Sequence, residues 1–473
     1  MGESERMLER AFKLIDKYLE EDRLPETPVV EYLPPEELKW KLDLELGEDG
    51  ASVEELLAFL ETYLRYGVRI GHVQFVNLLF GGFDEAAFLG DVFATLSNNQ
   101  MHTYEVAPVA TLIELALIAK MNSCIGFDGG EGIFCSGGSN GNLLGMLCAR
   151  NRAFPDVKAG GFAGGEMPAL FISDQAHYSF AKAANQLGIG TDNVVRIKAD
   201  ELGRMKPDEL ELEIERSLAA GRKPFFVGAT AATTTLGAFD PLHEIADVVD
   251  KHGLWLHVDA SWGGPVVLSE KHRHLLAGSE RAHSLTWDAH KMMGTPLICT
   301  AFLTRDKGVL FRAVSAASAD TEYLFHENDE SAYNLGRISL QCGRRVDALK
   351  LWLMWKQQGD AGMAARVDRF FGLAGYATAI VEEHPKLELL ARPQSIAVCF
   401  RYVPEGAVDI DDFNLRLRER LRRSGKSMIN YSTLRGKLAL RLSICNGAIS
   451  EADLDTLFDN ITRTAGELAA ERG

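Results

Sequence analysis

The sequence predicts an α/β protein with a largely parallel sheet, a small α+β carboxyl-terminal domain and an amino-terminal helical arm. Between residues 75 and 355, short apolar runs such as Phe225–Gly228 alternate with helical stretches such as His243–His252. That alternation is typical of βαβ units. The predicted divisions are an arm and linker at 1–74, a large domain at 75–355 and a small domain at 356–473.

The two ends of the chain have different patterns. From Ser4 to Glu21, apolar residues recur at helical spacing, and prolines between residues 25 and 35 then interrupt the pattern. This arm has two interpretations, a swapped dimerisation element or an amphipathic surface helix. In the carboxyl-terminal part, Ser395–Tyr402 and Lys437–Ser443 are predicted strands, and Asp411–Ser424 is a predicted helix between them.

Composition limits the partners and the compartment. The 473 residues are 46% hydrophobic and carry a net charge of -17, which argues against a general nucleic-acid or anionic-membrane role. We find no apolar stretch of 18 residues, and the acidic segment 1–6 does not resemble a targeting peptide, so we expect a cytoplasmic protein. Seven cysteines without Cys-x-x-Cys spacing fit reduced thiols, and we expect no metal site.

The most specific chemistry lies in two segments 32 residues apart. Asp259 ends the apolar run Leu254–Val258, and Lys291 follows the weaker run Ser284–Trp287. A lysine amine can form a Schiff base with an aldehyde cofactor, while a carboxylate keeps the cofactor's pyridine nitrogen protonated. The pair therefore predicts a pyridoxal phosphate site at the edge of a sheet.

Two further segments suit the same cofactor. Phe134–Asn142 is rich in glycine and small polar residues and precedes the helical stretch Leu143–Arg150, so it can cradle a phosphate at a helix amino terminus. An ordinary glycine-rich turn is the alternative. His177 follows the strand-like run Ala169–Ile172, and its imidazole could stack on the cofactor ring.

These segments occur in an order that resembles the group II pyridoxal-phosphate decarboxylases, in the branch of the glutamate, cysteine sulfinate and aspartate decarboxylases. The resemblance runs from about His72 to about Asn446. Its most specific segments are Thr103–Pro108, Leu187–Asp192, Gly237–Leu242, His257–Gly264, Leu340–Asp347 and Lys350–Trp355.

The resemblance implies the fold of the aspartate aminotransferases (fold type I), with a mainly parallel sheet of the seven-stranded type. It also implies a role for each matching residue. Lys291 would be the Schiff-base lysine, Asp259 the pyridinium partner and His177 the ring-stacking histidine. Tyr323 would return a proton to the α-carbon from a mobile loop, and Arg441 would bind a substrate carboxylate. The remaining residues implied to hold the ring or its phosphate are Ser139, Asn140, Thr230 and His290.

The chain departs from the family pattern at three places. Asp288 and Ala289 precede the His-Lys pair where the family has Asn-Pro, which adds a negative charge close to the reactive amine. Ala232 occupies a position usually taken by glycine, and Ser136 stands where close relatives often have proline. None of these changes removes a reacting group, so we expect an active enzyme.

Two apolar residues bear on the substrate. Glutamate decarboxylases have glutamine at the position of Leu78 and a small hydroxyl residue at that of Phe80. A bulky Phe80 resembles the cysteine sulfinate and aspartate decarboxylases, whose substrates have side chains one carbon shorter. We therefore expect aspartate or cysteine sulfinate to be favoured. Two alternatives stay open: a glutamate decarboxylase that makes 4-aminobutyrate, and a purely structural role for Leu78 and Phe80.

The family also implies a homodimer with active sites at the subunit interface, into which the Tyr323 loop of the neighbour reaches. Two rival functions remain at this stage. Transamination or aldol cleavage would use Lys291 and Asp259 but would not require Tyr323. A non-enzymatic scaffold would need none of the three, and their joint presence argues against it.

Overall fold

The computed structural model describes residues 3–24, 26–162, 165–315, 323–325, 328–406 and 409–471, with the side chains of residues 3–6 excluded. The chain divides into two compact units. One consists of residues 84–371, and the other combines residues 1–83 with residues 372–473. The structure thus groups the amino-terminal arm with the carboxyl-terminal segment, whereas the sequence analysis treated them as separate regions.

The unit of residues 84–371 is built on a seven-stranded sheet in the order β2-β8-β7-β6-β5-β3-β4. Strands β3 to β7 run parallel to one another, and β8 is antiparallel to both β7 and β2. This arrangement confirms the predicted mainly parallel α/β fold. The strands are β2 Glu131–Cys135, β3 Met167–Ser173, β4 Val194–Ile197, β5 Arg222–Thr230, β6 Trp255–Asp259, β7 Ser284–Asp288 and β8 Thr300–Thr304.

The central strands of this sheet are almost entirely buried because helices cover them. All five residues of β6, β7 and β8 are buried, as expected for strands that are enclosed on both faces. The helices of this unit are α4 Glu85–Ser97, α5 Pro108–Ile125, α6 Gly138–Ala153, α7 Val157–Gly160, α8 Ser179–Gln186, α9 Pro207–Ala219, α10 Leu242–His252 and α11 Val309–Val314. Helix α12 spans Ala348–Glu383 and is interrupted at Gly359, whose backbone is not helical.

Helix α5 contradicts the expectation that the chain has no apolar stretch of 18 residues. Helix α5 is 18 residues long and apolar enough, by length and composition, to cross a membrane. Its Glu114 is buried and forms an ion pair with Arg344 at 3.0 Å, and the same carboxylate accepts a hydrogen bond from the Phe134 N–H. The helix also packs against β2. A core helix of a globular unit passes the same test, and these contacts are those of a core helix.

The other unit contains a five-stranded sheet in the order β1-β11-β12-β10-β9. Its strands are β1 Phe75–Val76, β9 Leu387–Ala391, β10 Ala397–Tyr402, β11 Met428–Leu434 and β12 Lys437–Ser443. Phe75 pairs with Met428 in a parallel ladder, so the residue at which the predicted large domain begins belongs to this sheet. The helices are α1 Glu3–Glu21, α2 Pro35–Lys41, α3 Val53–Tyr66, α13 Ile410–Arg423 and α14 Glu451–Ala470.

The predicted arm helix is confirmed as α1. Within its unit, α1 packs against α3, and ion pairs join Arg10 to Glu54 at 2.8 Å and Lys17 to Glu61 at 3.0 Å. These pairs are exposed to solvent, so each contributes little to the stability of the fold.

Candidate active site

The predicted cofactor residues gather at one edge of the seven-stranded sheet. Strands β3, β5, β6 and β7 are parallel, so their carboxyl ends lie at the same edge. Thr230 ends β5, Asp259 ends β6, and the two residues pair across the ladder. His177 follows β3 and Lys291 follows β7. The carboxyl edge of an open α/β sheet is where such folds bind ligands.

Asp259 is buried and held by several donors. One carboxylate oxygen accepts a hydrogen bond from Asn142 Nδ2 at 2.8 Å, and the other accepts bonds from Ser261 N at 3.1 Å and Ser261 Oγ at 2.6 Å. Burial would raise the pKa of Asp259, but the charge of Lys291 and these hydrogen bonds outweigh it, so the pKa lies below its usual value. The side chain is therefore a buried carboxylate suited to a protonated ring nitrogen.

Lys291 is paired with the unusual acidic residue beside it. Its Nζ lies 3.0 Å from Asp288 Oδ2, and the Asp288 side chain is only 2% exposed. Asp288 Oδ1 accepts a hydrogen bond from Thr300 Oγ1 at 2.7 Å, on the neighbouring strand β8. The Asp288 carboxylate is thus fixed in place and contacts the Lys291 amine directly.

Two histidines flank these groups. His177 Nδ1 lies 2.9 Å from Ser179 Oγ, which also accepts a bond from Asn142 Nδ2 at 3.0 Å. Burial lowers the pKa of His177, and the negative charge of Asp259 opposes that shift. His290 Nδ1 accepts a hydrogen bond from the Cys299 N–H at 3.1 Å, and burial likewise lowers the pKa of His290.

The start of helix α6 suits a phosphate group. Gly137 has a positive φ of 99°, and a Cβ at Gly138 would lie 2.5 Å from Ser261 Oγ and 2.8 Å from Asp288 Oδ2. Glycine is therefore required where the helix begins. Two polar atoms at this edge, Asn140 Oδ1 and Thr230 Oγ1, are buried without a hydrogen-bond partner among the described residues.

These features match the chemical groups that pyridoxal phosphate needs. The cofactor requires an amine, a buried carboxylate, a flat ring neighbour and donors for a phosphate, which correspond to Lys291, Asp259, His177 and the start of α6. The unpartnered Thr230 hydroxyl gives a further group that a bound cofactor would satisfy.

Comparison with known proteins decides the family. The family model described as the pyridoxal-dependent decarboxylase conserved domain matches residues 35–403. The chain belongs to this family. It is therefore an enzyme, a decarboxylase, whose cofactor is pyridoxal phosphate.

Similar proteins agree with the assignment. The decarboxylase is 41% identical to human cysteine sulfinic acid decarboxylase, over 96% of this chain and 94% of the relative. It is 39% identical to human acidic amino acid decarboxylase GADL1, over 97% and 90%. A crystal structure of mouse CSAD superposes with a TM-score of 0.94 at 39% identity and covers 98% of each chain.

The candidate substrate residues of the decarboxylase lie in the unit of residues 1–83 and 372–473. Arg441 is a buried residue of β12, and its Nη2 donates to the Asn77 carbonyl at 3.4 Å. Cys445 Sγ lies 3.9 Å from the Leu78 carbonyl. Phe80 is half-buried. This unit therefore brings the guanidinium beside the segment that contains Leu78 and Phe80.

The remaining predicted residues lie at the protein surface. Ser139 is exposed in the first turn of α6, where its backbone rather than a buried side chain is available to a phosphate. Tyr323 is 76% exposed. The segments on either side of Tyr323, residues 316–322 and 326–327, lie outside the described residues.

Three important contacts were missed by the sequence analysis. Asn142 and Ser261 orient Asp259, and Thr300 orients Asp288. Asn142 is part of the glycine-rich motif, and its position one helical turn after Gly138 on α6 places it on the same face of that helix. Thr300 pairs with Asp288 across β7 and β8, and only strand register could have predicted that contact.

Proposed function

We propose that this decarboxylase removes the α-carboxylate of a small acidic L-amino acid and favours aspartate or cysteine sulfinate over glutamate. The observation that carries this proposal is the position of Arg441 beside an apolar segment. Its guanidinium contacts the Asn77 carbonyl, and the next residues offer Leu78 and Phe80 where glutamate decarboxylases have polar side chains. A guanidinium binds a side-chain carboxylate or sulfinate well. A bulky phenyl ring favours the shorter acid. The names of the relatives, which refer to cysteine sulfinic acid and acidic amino acids, support the same class.

Four residues have separate roles in the proposed reaction. When bound, pyridoxal phosphate supplies an aldehyde that captures an amine and a ring that accepts the electron pair left by departing carbon dioxide. Lys291 would hold the cofactor until the substrate amine takes its place, and the Asp259 carboxylate would keep the ring nitrogen protonated. Arg441 orients the acidic side chain. The Tyr323 hydroxyl donates a proton to the α-carbon, and the amine product then leaves.

The test is carbon dioxide release from aspartate, cysteine sulfinate and glutamate by the wild type and a Phe80→Ser variant. One methylene is worth about 1–3 kcal/mol, so the wild type should prefer the short acids by roughly 10–200-fold. Phe80→Ser should reduce that ratio towards one. Phe83→Ser, three residues further on and also partly exposed, is the matched control and should keep the wild-type ratio.

Other results would favour other functions. A wild-type preference for glutamate would favour 4-aminobutyrate synthesis and remove the role of Phe80. Keto-acid formation without carbon dioxide would favour transamination.

We further propose that the enzyme is a cytoplasmic homodimer whose active sites use Tyr323 from the neighbouring subunit. Support comes from large apolar side chains on helices α4 and α5 that are 44–77% exposed: Leu89, Phe93, Leu96, Val109 and Leu112. Exposed apolar patches of this kind mark interfaces. The exposure of Tyr323 also fits a residue that acts outside its own subunit.

Subunit complementation tests the shared site. Mixed refolding of Lys291→Ala and Tyr323→Phe chains should restore roughly a quarter of the wild-type rate, because half of the dimers would be mixed and each would have one complete site. Failure to restore activity, with dimers present by light scattering, would show that Tyr323 acts within its own subunit. The compartment is tested by fractionation of cells that express the full chain.

A further inference from the structure

A cavity lies in the unit of residues 84–371, away from the sheet edge where Asp259 and Lys291 lie. Its volume is about 460 Å³. Trp255, the first residue of β6, and His283, the residue before β7, both line it. Because β6 and β7 are parallel, the cavity is at their amino ends, while Asp259 and Lys291 are at or after their carboxyl ends. The cavity is therefore separate from the cofactor site.

Among the residues that the structure describes, four basic side chains and one acidic side chain line this cavity. Arg152 comes from the end of α6, Lys158 from α7, Arg305 from the loop after β8 and Arg312 from α11, and the acid is Asp306. The chain as a whole has a net charge of -17. A concentration of positive charge in an acidic protein produces a local field that attracts anions.

The basic groups are only partly satisfied by the protein. Arg305 Nη1 donates to the Arg281 carbonyl at 3.1 Å, and its Nε lies 3.8 Å from Asp306 Oδ1. The Arg152 guanidinium lies 5.6 Å from the centre of the Trp255 ring. A guanidinium has five N–H donors, so these contacts leave donors for a ligand. Lys158 instead donates to the Arg312 carbonyl at 3.0 Å, which joins α7 to α11 in the wall of the cavity.

A buried neutral donor completes the site. His283 is 8% exposed, and its Nδ1 accepts a hydrogen bond from the Leu256 N–H at 3.1 Å. Burial, together with the charges of Arg152 and Arg305, lowers the pKa of His283 to about 4. The ring is thus neutral near pH 7 and carries its proton on Nε2, which can donate without adding charge. Trp255 stacks on the ring with the centroids 4.9 Å apart and fixes its orientation.

We propose that this cavity binds a small phosphoryl compound, with Arg152, Arg305 and Arg312 as the charged contacts. The three guanidinium groups come from three different elements, which suits the three outer oxygens of a tetrahedral phosphoryl group better than a planar carboxylate. Arginine is also the side chain that best matches phosphate geometry. Inorganic polyphosphate and a nucleotide share this chemistry, and the volume of the cavity admits either.

The test is isothermal titration calorimetry of the cofactor-loaded enzyme with inorganic pyrophosphate at constant ionic strength. We expect saturable binding to the wild type and a loss of about tenfold in affinity for each guanidinium removed, so roughly 100-fold for Arg152→Gln/Arg305→Gln. Arg196→Gln, an exposed arginine of β4 outside the cavity, is the matched control and should bind like the wild type. Arg312→Gln alone, on the exposed face of α11, gives a single-site comparison if the double variant is unstable.

Further arms distinguish the source of the phosphoryl group. A nucleoside diphosphate that binds more tightly than pyrophosphate, with adenosine alone inert, would identify a nucleotide, whereas equal affinities would identify the phosphoryl group as the whole ligand. The cofactor absorbance should stay constant during titration, because the cavity is at the opposite edge of the sheet. The proposal is overturned by an absence of saturable binding, by unchanged affinity in the arginine variants, or by tighter binding of malonate.

Discussion

The carboxylate of Asp288 should control the protonation of the reactive amine when the cofactor is bound. Asp288→Asn removes one negative charge and preserves the shape of the side chain. The amide oxygen can still accept the Thr300 hydroxyl hydrogen bond that Asp288 accepts at 2.7 Å. The variant therefore tests the charge itself and leaves the packing unaltered.

The size of the effect follows from the geometry. Two unit charges 3.0 Å apart attract by roughly 5 kcal/mol at an effective dielectric constant of about 20. Burial of the carboxylate offsets much of this attraction, and a neutral hydrogen bond to asparagine replaces part of the rest. A net loss of about 1–3 kcal/mol in the stabilisation of the protonated amine remains.

The assay is a pH titration of the cofactor's visible absorbance in the loaded protein, which requires no turnover. A negative neighbour favours the protonated form of the Lys291 nitrogen, so Asp288→Asn should move the midpoint to lower pH. Asp208→Asn, an exposed acid on α9, is the control and should leave the midpoint unchanged. Denaturant unfolding of both variants verifies that the fold is retained.

An unmoved midpoint in Asp288→Asn, with cofactor fully bound, would refute this reasoning. It would mean that the ion pair between Asp288 and Lys291 does not persist once the amine is bonded to the cofactor. A midpoint that moves to higher pH would mean that the asparagine amide, rather than the charge, dominates the local field.

Three further predictions concern stability, pH and reaction outcome. Ala232 has a left-handed backbone with φ at 70°, so Ala232→Gly should raise the free energy of unfolding by about 1 kcal/mol in denaturant titration; a loss of stability would contradict the strain. His283 has a folded pKa of about 4 against an ordinary 6.5, so stability is fully present above pH 6.5 and is lost by up to about 3 kcal/mol as the pH falls through 4. His283→Asn, which keeps an acceptor for the Leu256 N–H, should flatten this part of the pH profile. Tyr323→Phe should convert part of the cofactor to its amine form during turnover, and an unaltered ratio of amine product to cofactor loss would exclude Tyr323 as the proton donor.

Much of the candidate active site could be predicted from sequence because local sequence patterns indicate the strands that position its residues. The buried run that ends in Asp259 and the run before Lys291 were both recognisable as strands, and β6 and β7 end as those runs indicated. Parallel strands bring their carboxyl ends together, so the proximity of the two groups followed from the fold class. The helical arm was equally clear, because its apolar residues recur at a period of 3.6.

Other features depend on long-range pairing that no local pattern contains. Strand β1 has only two residues, and it pairs with Met428 and Ile429, more than 350 positions away. The contact of Thr300 with Asp288 depends on the register of an antiparallel strand. The positive φ of Ala232 was foreshadowed by the family's glycine at that position, but only the backbone geometry gives its cause.

The antiparallel strand β8 fixes the distance between the two ends of the proposed cofactor site. It separates β2, which leads into the turn proposed to bind the phosphate, from β7, which leads to Lys291. Neighbouring strands lie about 4.8 Å apart, so these two anchoring points are held roughly 10 Å apart by main-chain hydrogen bonds alone. A chain that lost β8 could retain every catalytic side chain and still be unable to hold both ends of the cofactor. Loops beyond the strand ends have no such constraint, and there insertions can accumulate without changing the spacing.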